Sequence, residues 1–166
     1  MADAIPAITL WEPWATLVAI GAKPIEWRGW PAPRAYRGRR IAIHAGARPV
    51  RRAEVAGLLF DLRAVDGLGW GTALVPEIAI PFLERLQRAP RSLPLGHIVC
   101  TAMLGEPRRA LDLVAELYAG RPQLDSDRID HSKWGWPLTD VVPLAPPVPA
   151  RGAQGFWPWR GEAIAA

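Results

Sequence analysis

Hydrophobic and polar positions along this chain switch repeatedly between a period of two and a period near 3.6, the signature of strands interleaved with helices. Ala7 to Trp11 is apolar and β-tolerant. Pro13, a residue favoured at a first helical position, then precedes Trp14, Leu17 and Val18 at helical spacing, and Gly21 supplies the stop. Ile25 to Arg28 reads as extended, with Pro24 placing its start at an edge or in a loop, and Pro31 and Pro33 mark a turn. Ile41-Ala42-Ile43-His44 alternates as a strand with both isoleucines on the core face and His44 on the other.

A helix is predicted from Pro49 to about Leu62, with Val55, Ala56, Leu59 and Phe60 as its buried stripe. Gly67 to Thr72 is a glycine-rich loop, and a second helix is expected over Pro81 to Arg88. Leu93 to Gly96 turns into the strand His97 to Leu104, apolar on both faces. Helical spacing of Leu111, Val114 and Leu117 predicts a helix from Arg108 to Tyr118, followed by a polar, irregular and mobile loop from Gly120 to Arg128. Two further strands are predicted, Trp136 to Leu144 and Phe156 to Arg160, separated by a proline-rich turn over Pro146 to Pro149. Short strands spread along the whole chain, with two to four helices between them, indicate an α+β fold, a small mixed barrel with helices packed outside.

Composition narrows the field. A chain of 166 residues, half of them hydrophobic, suits one domain spanning residues 1–166 with a sizeable core. Cys100 is the single cysteine and lies in an apolar run, which excludes disulfides within the chain and a cysteine-based zinc site and makes it a small core residue. No two histidines have metal-ligand spacing, so no cofactor and no tightly held metal are expected. A labile divalent ion held by ligand phosphates and one carboxylate is left open. The start of the sequence lacks the pattern of a secretory signal and no apolar run is long enough to span a membrane, so a cytoplasmic, non-membrane protein is expected, a monomer or weak dimer.

The net charge is +4, and apart from Lys23 and Lys133 all 20 basic residues are arginine. Arginine binds phosphate bidentately and stacks on bases, which fits a nucleic-acid partner; a GC-rich coding sequence would give the same bias. Nine tryptophans serve either as core filler or as stacking surfaces.

The densest chemistry follows the stop at Gly21. Lys23 is succeeded by Glu26 and Arg28, two apart and therefore on one face of an extended segment. A carboxylate between two cations is oriented to hydrogen-bond a base edge or a small polar ligand, and if buried it could activate water with Lys23; the alternative is a surface ion-pair cluster. Trp11 and Trp30 flank this segment as stacking candidates, whereas Trp14 falls on a core stripe and Trp27 alternates away from Glu26 and Arg28. Glu12 complements the dipole of the first helix and counts among the ligand-binding candidates. Arg48, Arg51 and Arg52 flank a helix start, where cations are unfavourable unless an anion sits among them, and with Arg37, Arg39 and Arg40 they would form a basic rim. His44 is a candidate acid, base or phosphate donor, or else a satisfied histidine beside the core. Asp130-His131-Ser132 is adjacent in sequence, unlike a nucleophilic triad assembled from distant segments.

The string Gly21-Ala22-Lys23-Pro24-Ile25-Glu26-Trp27-Arg28 has the form G-x-K-x-x-E-x-R and resembles the signature of the ASCH family. Ile8 to Ala15 before it, Tyr36-Arg37-Gly38 and Ile41 to Ala45 after it, and Leu138 to Val141, Arg151-Gly152 and Gly155-Phe156-Trp157 near the end extend the resemblance, which is absent from the helical middle. The resemblance implies a PUA-like barrel of about five or six strands with outer helices. It also implies a cleft between barrel and first helix that takes single-stranded RNA, a nucleotide or a modified nucleoside. Ser132, with Lys133 and Trp134, would lie over that cleft. Relatives include RNA-binding modules, a metal-dependent ribonuclease and an amidohydrolase of acylated nucleosides such as N4-acetylcytidine, which uses a lysine, a threonine and a glutamate. Lys23 matches that lysine, Glu26 stands where the threonine is, and Thr101 or Glu106 would have to stand in. Three expectations follow: a nucleic-acid or nucleotide binder with Lys23, Glu26, Arg28, Trp11, Trp30, Arg37, Arg51 and Arg52 as contacts; a hydrolase with Lys23 and Glu26 as its catalytic residues; or a scaffold that recognises protein through its tryptophans.

Overall fold

The computed structural model describes residues 4–64, 72–117 and 133–161. Among the described residues seven strands form one mixed sheet. They are β1 (Ile5–Leu10), β2 (Ile25–Arg28), β3 (Arg39–Ala45), β4 (His97–Leu104), the two-residue β5 (Arg108–Arg109), β6 (Trp134–Pro149) and β7 (Phe156–Trp159). Four helices accompany them: α1 (Trp14–Ala19), α2 (Arg52–Arg63), α3 (Pro76–Arg88) and α4 (Ala110–Leu117). The strand order is β2-β6-β4-β3-β1-β7, with β5 beside β6. β1 runs parallel to β3, in register Ile8 with Ile43 and Thr9 with His44, and the other pairs are antiparallel. The fold is therefore α+β with a mixed sheet, as expected.

The path of strands is open, for no ladder joins β2 to β7 among the described residues. The sheet nonetheless curls strongly. Trp136 of β6 and Phe156 of β7 stand far apart in the strand order, yet their rings stack at 5.9 Å and 11°, and Tyr36 stacks on Phe156 at 4.0 Å. Right-handed twist and bulges in the β3–β4 and β4–β6 ladders supply the curvature.

The inner face buries Ile8, Leu10, Ile41, Ile43, Cys100, Leu104, Trp136 and Leu138, and Ala15 and Val18 of α1 join them. Leu17, on the opposite side of α1, enters a second core with Val55 and Leu59 of α2 and Ala79, Leu83 and Leu86 of α3. The short α1 is thus a shared wall between sheet and outer helices. Its end is a Schellman motif: the Gly21 N–H donates to Val18 O at 2.9 Å and the Ala22 N–H to Leu17 O at 2.8 Å, with Gly21 at φ +78°. That stop turns the chain directly into Lys23 and β2.

Several boundaries differ from the sequence pattern. α2 begins at Arg52, three residues beyond Pro49, and buries Val55 and Leu59 while Ala56 and Phe60 face outward. The apolar positions admitted two stripes, and packing against α3 selected the one with Leu58 and Leu62 as partly buried flanks. α3 starts at Pro76, not Pro81, so Pro81 lies inside it. Pro81 is on the exposed side, where water can satisfy the Glu77 carbonyl that loses its helical partner. α4 exists, but Ala110 and Leu113 are its buried residues, and Leu111 and Leu117 are exposed. The expected proline turn over Pro146–Pro149 is part of β6. Its pairing with β4 jumps from Cys100–Pro143 to Ile98–Val148, so the prolines fall in or just beyond a wide bulge where missing N–H donors cost no ladder bond. The loop expected at 67–72, apart from Thr72, the loop expected at 120–128 and the trio Asp130-His131-Ser132 lie outside the described residues. Among the described residues no helix is long and apolar enough to cross a membrane.

A Cβ on Gly21 would meet nothing within 4 Å, so its substitution tests backbone conformation alone. Gly21→Ala is expected to lower stability by about 1–2 kcal/mol, the cost of left-handed backbone with a Cβ. Urea unfolding checks this: the midpoint should fall with the slope unchanged.

Candidate functional site

Lys23, Glu26 and Arg28 come together where the Schellman stop delivers the chain into β2. Lys23 Nζ lies 3.1 Å from Glu26 Oε2 and donates to the Ile25 carbonyl at 2.5 Å. Arg28 Nε lies 2.9 Å from Glu26 Oε1, close in distance but off the N–H direction, so the contact is Coulombic more than a hydrogen bond. Lys23 and Glu26 are only 4% and 7% exposed, which rules out the reading of a solvated surface cluster. The ammonium also lies 5.5 Å from the Trp14 ring centroid, and the Arg28 guanidinium 5.6 Å from that of Trp136.

These residues line one end of an open cleft. A first chamber of about 420 Å³ is walled by Thr9, Trp11, Trp14, Lys23, Glu26 and Arg28. A second, about 650 Å³, shares Thr9, Trp11 and Arg28 with it and continues past Trp30, Trp136 and His44 to the segment 150–156. The cleft occupies the opening left where β2 and β7 do not pair. At its rim stand Trp11 and Trp30, 60% and 58% exposed. Trp11 is fixed from one side by the Arg48 guanidinium, 4.4 Å from its ring centroid, and the Trp30 carbonyl accepts the Trp136 indole N–H at 3.0 Å.

His44 is buried beneath the second chamber, 2% exposed. Its Nε2 is 3.0 Å from the Ala150 carbonyl, which requires Nε2 to carry the proton and leaves Nδ1 as an unpartnered acceptor. A Cβ on Gly152 would stand 2.5 Å from Nδ1, so only glycine lets the segment 150–155 lie against the ring. Thr9 Oγ1 secures that segment further by donating to the Ala153 carbonyl at 3.0 Å. Burial pushes the His44 pKa down; the Ala150 hydrogen bond opposes this and the charge of His97 adds to it. His44 therefore forms part of the chamber wall with its Nε2–H committed to the Ala150 carbonyl.

The remaining candidates fall elsewhere. Glu12 folds back onto α1, accepting from the Thr16 N–H at 3.1 Å and the Thr16 hydroxyl at 2.6 Å. Arg37 donates to the Ala32 carbonyl and pairs with Glu106 at 3.2 Å. Arg51 and Arg52 are exposed at the start of α2, where the anion is internal: Glu54 accepts from the Arg51 N–H and from Arg48, both at 2.9 Å. Thr101 is buried and accepts from Arg40 at 3.1 Å. None of Glu12, Arg37, Arg51, Arg52, Thr101 or Glu106 lines either chamber. Ser132 lies outside the described residues. Among the described residues no three His, Cys, Asp or Glu side chains cluster as metal ligands.

Sequence reasoning passed over Trp136, which the β2–β6 ladder sets opposite Glu26, and Thr9 and the segment 150–155, which curling of the sheet brings to β2. Arg48 was one of six rim arginines with nothing local to single it out. It reaches Trp11 because the end of β3 is tied to the end of β1, the Gly46 N–H donating to the Leu10 carbonyl at 2.8 Å.

Burial, the strongest influence on Glu12, raises its pKa above 4.5, against the lowering effect of the two Thr16 hydrogen bonds. Cys100, nearby in the core, is pushed up to about 12 by burial and then by the Glu12 charge. A carboxyl raised on folding contributes stability that is whole below pH 4.5 and lost as pH climbs through the folded value. Glu12→Gln keeps an acceptor for the Thr16 N–H and a donor for its hydroxyl, but does not titrate. Thermal melts from pH 4 to 8 should show the variant gaining on the wild type as pH rises, by at most about 1.4 kcal/mol per pH unit. A difference that stays constant with pH would count against a buried, titrating Glu12.

A scan against protein-family models found no match to this chain, and a search of curated proteins found none either.

Proposed function

We propose that the cleft binds an unpaired nucleotide or a short stretch of single-stranded RNA. The observation that carries this reading is the ion-paired Lys23-Glu26-Arg28 chain, its lysine and glutamate buried, on the floor of an open cleft whose rim is two largely exposed tryptophans. Exposed indoles at an apolar-walled opening are stacking platforms of the kind that hold extruded bases. Beneath them, a carboxylate flanked by two cations offers an acceptor and donors to a planar base edge. Arg28 and Arg151 in the walls add positive charge for phosphate. The G-x-K-x-x-E-x-R motif and its resemblance to the ASCH family support the same reading, and the curled open sheet is then this chain's version of a PUA-like barrel.

Binding is favoured over hydrolysis by the bonds Lys23 already makes. At least two of its three N–H directions are spent on Ile25 and Glu26, so it positions the carboxylate and is not arranged to accept a proton. Thr101 and Glu106, the stand-ins a nucleoside amidohydrolase would need, are engaged with Arg40 and Arg37 away from the chambers.

Titration of tryptophan fluorescence with short single-stranded RNA, single-stranded DNA and free nucleosides tests the reading, with each mixture analysed for cleaved or deacylated product. Salt-sensitive binding without product is expected. The Arg28 side chain retains 25% exposure, and Arg28→Ala should weaken binding tenfold or more while unfolding by urea shifts by less than about 1.4 kcal/mol. Product that disappears in Lys23→Ala would make the protein a hydrolase instead, and unfolding of Arg28→Ala with undiminished binding by the folded fraction would remove Arg28 from the site.

A further inference from the structure

We infer that the cleft is built for two consecutive nucleotides of an unpaired strand, one in each chamber, and not for a lone nucleoside. The inference rests on the nucleotide-binding reading of the first chamber and adds the class of ligand. Three observations carry it. First, the chambers adjoin: Thr9, Trp11 and Arg28 line both, so a ligand seated on the ion-pair chain lies next to the second chamber. Second, each chamber alone has the volume of a small-molecule site, within the roughly 300–1,000 Å³ that such sites span, and the second is the larger at about 650 Å³. A nucleoside in the first would leave that space filled only by water against aromatic walls. Third, the walls have the chemistry of a nucleotide. Trp30 offers an exposed ring face above a floor of packed aromatic rings, while Arg28 at the junction and Arg151 offer guanidinium groups to phosphates on either side of a base.

The second chamber also has a rigid outer wall. The segment 150–155 is held by His44 Nε2 on the Ala150 carbonyl and by Thr9 Oγ1 on the Ala153 carbonyl, and it closes on His44 through Gly152. A wall fixed at both ends orders the chamber before any ligand arrives, which reduces the cost of binding. Exposure of Trp30 at 58% then has a use: it stands where a second base would stack.

Ala47 and Gln154 line the second chamber only and are exposed, so a large side chain can be added at either without entering the core. The experiment compares cytidine and uridine 5′-monophosphates with the 5′-phosphorylated dinucleotides pCpC and pUpU on wild type, Ala47→Trp and Gln154→Trp. Circular dichroism melts confirm that each variant is folded. The dinucleotides should bind the wild type at least tenfold more tightly than the mononucleotides, and either tryptophan should erase that advantage while mononucleotide affinity stays within about twofold. Equal affinity of mono- and dinucleotides for the wild type, or an advantage that survives both variants, overturns the inference and leaves the first chamber's role intact. Failure of every nucleotide to bind the wild type overturns that role and the inference together.

Discussion

Glu26 is 7% exposed and has a cation at each carboxylate oxygen, and much of the architecture around it exists to make that arrangement tolerable. Removing charges from water costs several kcal/mol per ion, and mutual attraction offsets this only when the partners are held in place. The Lys23 stem is fixed by the helix stop before it and by its bond to the Ile25 carbonyl, and Arg28 by the Trp136 ring beneath its guanidinium. A hydrophobic trio of similar volume would stabilise the domain as well or better. Charges held at that expense are consistent with the ligand-binding role proposed above. Loss of Lys23, the buried cation, would leave the carboxylate with only the partly exposed Arg28 beside it, whereas loss of Arg28 admits water to Glu26 Oε1.

The helix that aims this group is short, only Trp14–Ala19, and could not persist on its own. It holds because both of its sides are buried, Ala15 and Val18 against the sheet and Leu17 against α2 and α3. The outer helices therefore matter to the cleft indirectly: they clamp α1, and α1 sets where Gly21 turns the chain.

Local signals in the sequence were sufficient for this part of the molecule. β2 and β4 have the bounds that Ile25–Arg28 and His97–Leu104 suggest, and the Gly21 stop, the extended spacing of Glu26 and Arg28 and the inward Ile41 and Ile43 all follow from period and turn chemistry. What the pattern could not decide was which of two overlapping apolar stripes a helix buries, as with Phe60 on α2 and Leu111 on α4, because that choice belongs to the neighbour. Nor could it foresee that Pro146 to Pro149 continue a strand, since a proline run reads as a turn unless the partner strand is known to bulge around it. The site divides the same way. Lys23, Glu26 and Arg28 are close in sequence, so their clustering follows from spacing, whereas Trp136 is set opposite Glu26 by the β2–β6 pairing and Gly152 is brought in by curvature of the sheet.

That curvature also explains why a cleft exists here at all. β6 is long enough to pair with β4 along one stretch and with β2 and β5 along another, so it carries β2 around the bend and away from β1. β7 pairs only with β1, and nothing pairs with the outer edge of β2 among the described residues. Two sheet edges thus face each other across a gap, with the stacked Trp136 and Phe156 rings at its floor. Unpaired edges ordinarily invite aggregation, and closure into a barrel would remove them. Here the gap is lined by indole and guanidinium groups instead of being closed, so the same feature that leaves the sheet incomplete supplies the walls of the cleft.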